Sequence, residues 1–190
     1  MNIFWIVILV SAVVWLLPLF KQFRTEYFHF FLVLSLSDVV VIPIAVLFRI
    51  NPQIMYPIFA ALLILSLKKI KKMQITLLFI ITGVLIFLCL KLDPRLLYIL
   101  YSFYSSAILL IILYQFLQYI MSNNSVSIFF IFLIAYELSL VLKNIVVYTN
   151  ILQGVTLFSI TTFFEIGFGI IFTFVNVNTK VYKLPVKDIE

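Results

Sequence analysis

Histidine and cysteine occur once each in the 190 residues, as His29 and Cys89, and acidic side chains number only seven. A lone cysteine excludes an intrachain disulfide and any cysteine-based metal cluster within one chain. A lone histidine near the edge of an apolar run leaves proteolytic and zinc chemistry without their parts, because no Gly-x-Ser-x-Gly elbow, His-Glu-x-x-His or Cys-x-x-Cys occurs. A retinal protein would need a lysine deep in its last helix, and Lys180 lies beyond that segment. No cofactor or metal is expected, and no enzyme activity either; acid-base work on a lipid by carboxylates alone is the one enzymatic route left open.

Charge of either sign is scarce as well. Charged residues make up 11% of the chain and hydrophobic ones 65%, with a mean hydropathy of +1.27. Soluble domains carry about 25% charged residues and about 45 to 50% apolar ones, so a polytopic, all-α membrane protein is expected. The polar connections are too short to fold separately, which leaves one membrane domain over 1–175 and a basic cytoplasmic tail over 176–190.

Seven apolar segments are expected to span the bilayer: Met1 to Phe20, Tyr27 to Phe48, Ile54 to Leu67, Met73 to Leu90, Leu96 to Ile120, Val126 to Tyr148 and Ile151 to Val175. The first lacks a basic leading region and a small-residue cleavage site, so it is read as a helix rather than a signal peptide. Polar breaks divide the rest, two of them carrying proline, at Pro52 and Pro94. The third segment is the shortest.

Orientation follows from lysine and arginine in the short loops. With the N-terminus outside, nine basic residues (Lys21, Arg24, Lys68, Lys69, Lys71, Lys72, Lys180, Lys183 and Lys187) face the cytoplasm and four (Arg49, Lys91, Arg95 and Lys143) lie toward the other side. The basic balance thus reads as topology and attraction to anionic lipid, and nucleic acid is not an expected partner. The short loops and lack of sorting signals point to a prokaryotic plasma (inner) membrane.

Three acids, Asp38, Glu137 and Glu165, fall near the middle of segments two, six and seven. A carboxylate at that depth costs about 2.5 to 3.5 kcal/mol on insertion scales, so it marks a functional site. Lys143 is the one nearby cation. It stands six residues from Glu137, about 120° around the helix, so any ion pair it makes is expected to cross between helices. Ser35 precedes Asp38 by one turn, Asn144 follows Glu137 by two, and Thr161 shares a stripe with Glu165, Gly154, Gly169 and Asn176. Segment five adds Tyr98, Tyr101, Ser102 and Ser105. A polar pocket between segments two, five, six and seven is expected to bind a proton, cation or small solute through Asp38, Glu137, Glu165, Ser35, Tyr101, Ser105, Lys143, Asn144 and Thr161. Burial and mutual repulsion favour a neutral carboxyl group, so at least one acid is expected to hold its proton at neutral pH. The bland reading of the serines, threonines and Asn144 is interhelical packing.

At an offset of 99 residues, segments one to three overlay segments five to seven, pairing Phe30 with Phe129, Phe31 with Phe130, Asp38 with Glu137 and Asn51 with Asn150. Three-helix parallel repeats around a linker helix, a 3+1+3 organisation, are the plan of some small-solute transporters. The layout resembles that of the SWEET and PQ-loop transporters, and Pro18-Leu19-Phe20-Lys21 stands where their first helix ends. The Pro-Gln pair is absent there and segment five has no proline, so the chain is not assigned to that family.

Two functions are compatible with these features. One is a small secondary transporter or proton- or cation-linked carrier. The other is a membrane-embedded sensor or assembly subunit, whose acids pair with a membrane partner protein or a second copy of the chain.

Overall fold

The computed structural model describes residues 3–49, 51–67, 72–149, 154–179 and 181–183. It is all-helical, with seven α-helices among the described residues: α1 (Ile3–Gln22), α2 (Phe28–Phe48), α3 (Met55–Leu67), α4 (Lys72–Leu92), α5 (Leu96–Asn123), α6 (Ile128–Thr149) and α7 (Gly154–Phe174). Three stretches are long and apolar enough to cross a membrane: Met73–Leu92, Leu96–Asn123 and Ile128–Thr149. Seven calculated helices correspond to seven apolar segments, and their ends fall within a few residues of the polar breaks.

Local chemistry explains the breaks. The α1–α2 turn places Arg24 at φ 69°, α2 closes on Arg49 at φ 54°, and α5 closes on Asn124 at φ 46°. Left-handed backbone is easiest for asparagine among these, since its short side chain tolerates it. At the α4–α5 corner the Asp93 carboxylate accepts the Arg95 backbone N–H at 2.9 Å, an Asx turn that starts the next helix. Pro52 opens a short 3₁₀ turn, Pro52–Ile54, that leads into α3.

Around the bundle α1 packs on α2, α2 on α3, α3 on α5, α5 on α6, α6 on α7 and α7 back on α1. The six helices close a ring. Helix α4 stands outside it, against α3 and α5. Its outward residues, among them Met73, Leu77, Ile80, Val84 and Phe87, are apolar and exposed, a surface suited to acyl chains.

The ends of the helices define two ends of the bundle. The tail end holds the α1–α2 and α5–α6 connections and the chain after α7. Here Val181–Lys183 forms strand β2, antiparallel to β1 (Ser125–Ser127), with Val126 opposite Tyr182. The same pairing delays the start of α6 to Ile128, because residues 125–127 lie in the ribbon. Ser127 adds a hydrogen bond, its hydroxyl donating to the Val177 carbonyl at 2.9 Å. Residues 184–190, with Lys187, lie outside the described residues, as do Lys68, Lys69, Lys71, Asn150 and Lys180.

Above the tail end lies an aromatic core. Phe31 and Phe172 meet at 5.0 Å between ring centroids, Tyr27 and Phe129 at 5.0 Å, and Trp15 and Tyr136 at 5.0 Å. These contacts join α1, α2, α6 and α7. Phe116 and Tyr119 of α5 add to it through Phe130. Close approach of α7 to α1 depends on Gly169, where an added Cβ would come within 2.8 Å of the Val14 side chain.

Candidate functional site

Glu137 is fully buried, and neither carboxyl oxygen has a hydrogen-bond partner among the described residues. It stands nine residues from the start of α6 at Ile128, about 13 Å from the tail end at 1.5 Å per residue. Its helical face also carries Leu133, Leu140 and Asn144, all buried. An ionised carboxylate there would have no donor or cation among the described residues to offset its lost hydration.

Glu165 has a different fate. It also stands nine residues from the tail end of its helix, at Phe174, but its Oε1 accepts from the Lys143 ammonium at 2.6 Å. Both side chains are about a fifth exposed or less. This ion pair crosses from α6 to α7, as the position of Lys143 away from the Glu137 face requires. The two glutamates therefore occupy similar depths with opposite electrostatics: one is neutralised by a lysine, the other by no charge.

The remaining expected site residues divide. Asp38 lies at the centre of α2, ten residues from either end, but its side chain is outside the described residues. Ser35 is buried and tied to structure: its hydroxyl is shared between the Trp15 carbonyl of α1 and the Phe31 carbonyl at 2.7 Å. Asn144 donates to the Leu140 carbonyl of its own helix at 2.7 Å. Tyr101 stacks obliquely on Tyr56 of α3, with centroids 5.6 Å apart. Thr161 is half-buried on α7. Ser105 and Ser102 are buried on α5, and their hydroxyls have no hydrogen-bond partner among the described residues.

Those two serines are unlike others in the bundle. Ser37, Ser66 and Ser139 each donate to a carbonyl of their own helix at 2.7 Å, the usual way a helical serine satisfies itself.

Sequence reasoning passed over two amides, Gln22, which is fully buried, and Gln115, which is half-buried. Gln22 Nε2 donates to the carbonyls of Val175 at 2.8 Å and Phe172 at 3.3 Å, satisfying the end of α7. Gln115 accepts from the Tyr27 hydroxyl at 2.8 Å and donates to the Leu67 carbonyl at 2.9 Å, joining α2, α3 and α5. The detectable signal was an amide inside an apolar run, which requires partners that lipid does not provide. Beside this tie is a hollow of about 640 Å³ at the tail end, lined by Glu26, Tyr27, Gln115, Tyr119, Phe130 and Val177 among others.

No group of three histidine, cysteine, aspartate or glutamate side chains placed to hold a metal ion is found among the described residues. No family model, curated protein or solved structure matches the chain.

Proposed function

We propose that the chain is a small secondary transporter, a proton- or cation-linked carrier of a small solute, with seven spans, the N-terminus outside and the tail end in the cytoplasm. The observation that carries this reading is Glu137: a carboxyl group with no exposure and no partner, deep within a ring of helices. A buried polar group left unpaired costs about 1 to 3 kcal/mol, a burden that stability alone does not explain and proton exchange does. The Lys143–Glu165 pair, which joins α6 to α7, is suited to orient a polar solute or to break and reform as the helices move.

The arrangement of helices supports a repeat. Under the 99-residue offset α1, α2 and α3 correspond to α5, α6 and α7, and the contacts follow: α1 on α2 matches α5 on α6, α2 on α3 matches α6 on α7, and α1 on α7 matches α5 on α3. A linker helix outside the ring, as α4 stands, agrees with the 3+1+3 plan of parallel-repeat carriers. The sensor or assembly reading is weakened by the same burial. A partner's basic residue has no route to a side chain that is enclosed by its own bundle.

The test is pH-gradient-driven uptake by the purified chain in proteoliposomes. Glu137→Gln is expected to abolish gradient-driven flux while leaving the protein folded, and Asp38→Asn and Glu165→Gln to reduce it. Flux that is unchanged in Glu137→Gln, or absent for the wild type across a broad solute panel, overturns the carrier reading.

A further inference from the structure

Three polar groups on α5 and α6 are buried and have no hydrogen-bond partner among the described residues: the Glu137 carboxyl and the hydroxyls of Ser102 and Ser105. They lie on neighbouring helices that pack along most of their length. Phe130 meets both Phe116 and Tyr119, which sets the antiparallel register. Extrapolated along the helices, this pairing puts Glu137 level with about residues 109–112 of α5, and Asn144 level with Ser102 and Ser105. The orphaned hydroxyls therefore stand on the far side of Glu137 from the tail end, Ser105 about 6 to 10 Å away along the axis and Ser102 about 10 to 15 Å away, distances that two to five hydrogen bonds span.

From Ser105 the polar positions continue outward at helical spacing. Ser102 is three residues on and Tyr98 four more, and the Tyr98 hydroxyl accepts from Gln53 next to the start of α3. Toward the tail end the interface is of the opposite character. Ile112, Phe129, Phe130 and Leu133 are buried and apolar, and three of them are at most 1% exposed.

We infer that Glu137 exchanges its proton with one side of the membrane only, along a hydrated seam between α5 and α6 through Ser105 and Ser102 to Tyr98 and Gln53. Buried hydroxyls and carboxyls without protein partners are the groups that ordered water satisfies. A serine that does not bond back to its own helix keeps its donor and acceptor for such a chain. On the tail side the layer of Ile112, Phe129, Phe130 and Leu133 offers no polar foothold, so the path ends at the carboxyl. The inference builds on the carrier proposal, because a carrier with its proton site open to one side and shut to the other is in one state of an alternating-access cycle.

Other titratable groups are on the elements packed against α6 and bear on the proton's route. They are Tyr98, Tyr101 and Tyr104 on α5, Glu165 on α7 paired with Lys143 of α6, and Tyr27 and Asp38 on or beside α2. Glu165 is committed to its lysine, and Tyr27 to Gln115 at the tail end. Of these α5 tyrosines, Tyr98 lies on the proposed route, while Tyr104 is bonded to Thr82 of α4 and Tyr101 stacks on Tyr56 of α3.

Infrared spectroscopy of the whole chain in lipid, with D₂O as the probe, tests this without any transport assay. The carbonyl band of protonated Glu137, identified by its loss in Glu137→Gln, is followed as H₂O is replaced by D₂O. In the double variant Ser102→Val, Ser105→Val the exchange is expected to slow roughly tenfold or more, the equivalent of about one lost hydrogen bond in the path. The hydroxyl-retaining pair Ser102→Thr, Ser105→Thr keeps the wild-type rate, and Gln115→Leu at the tail end leaves it unchanged. Equal rates in the valine and threonine pairs, or slowing by Gln115→Leu to the same degree, overturn the seam. Slowed exchange in a protein that moves no solute upholds the seam and removes the carrier reading; intact proton-driven uptake with unaltered exchange in the valine pair does the reverse.

Discussion

The two halves of this bundle are built from the same apolar composition and held together in different ways. Toward the tail end the interior is a contiguous aromatic cluster, and the polar groups present are consumed in ties between elements: Gln22 on the end of α7, Gln115 between Tyr27 and Leu67, and the β1–β2 ribbon. Toward the opposite end three interior polar groups, Glu137, Ser102 and Ser105, have no partner among the described residues, and Lys143 neutralises Glu165 across a helix boundary. One half is organised for closure. The other holds buried polar groups without partners among the described residues, a distinction that the mere presence of polar residues in the sequence does not reveal.

Substitutions that target each half separately test this contrast. The largest effect is expected from Phe129→Ala, which removes a fully buried ring in contact with Tyr27, Phe31 and Phe172; loss of about 3 to 5 kcal/mol is expected, read as a lower unfolding midpoint in detergent. If the aromatic half is not the structural half, the midpoint will hardly move. Lys143→Met comes next. It strands Glu165 and should destabilise by about 2 kcal/mol, less than a fully buried pair because both side chains retain some exposure. Most of that loss should be recovered in Lys143→Met, Glu165→Gln, and a double-mutant cycle without such coupling would show that the pair contributes nothing. The smallest effect on stability is expected from Glu137→Leu. Replacing an unpartnered carboxyl with an apolar side chain of similar size should leave the midpoint within about 1 kcal/mol of wild type or raise it. A large drop there would mean that Glu137 has structural partners and belongs with the other half.

Element boundaries were legible where a break combined charge with proline or a change of polarity. Segment two was expected over Tyr27 to Phe48 and α2 runs Phe28–Phe48; segment five was expected from Leu96, where α5 begins. The start of segment six was misplaced by two residues because the Ser-Val-Ser stretch pairs with residues more than fifty positions later, and no local pattern reports that. For the same reason the tail could not be seen to fold back. Within the site, depth was readable from residue counts, which put Glu137 and Glu165 at comparable levels. Facing was not. Whether Ser35 serves α1 or a pocket, and which acid Lys143 takes, depends on the rotation of one helix against another.

Composition and spacing alone determined that the chain forms apolar helices, where they end, and which few ionisable groups are carried to their middles, because hydrophobic runs and polar breaks act over a single helical length. Only the tertiary structure decided that Lys143 belongs to Glu165, that Ser35 bonds to Trp15, and that Glu137 is enclosed without a partner. Those outcomes arise from contacts between helices far apart in the chain, where a rotation of one residue about the helix axis, about 100°, exchanges a paired side chain for an orphaned one.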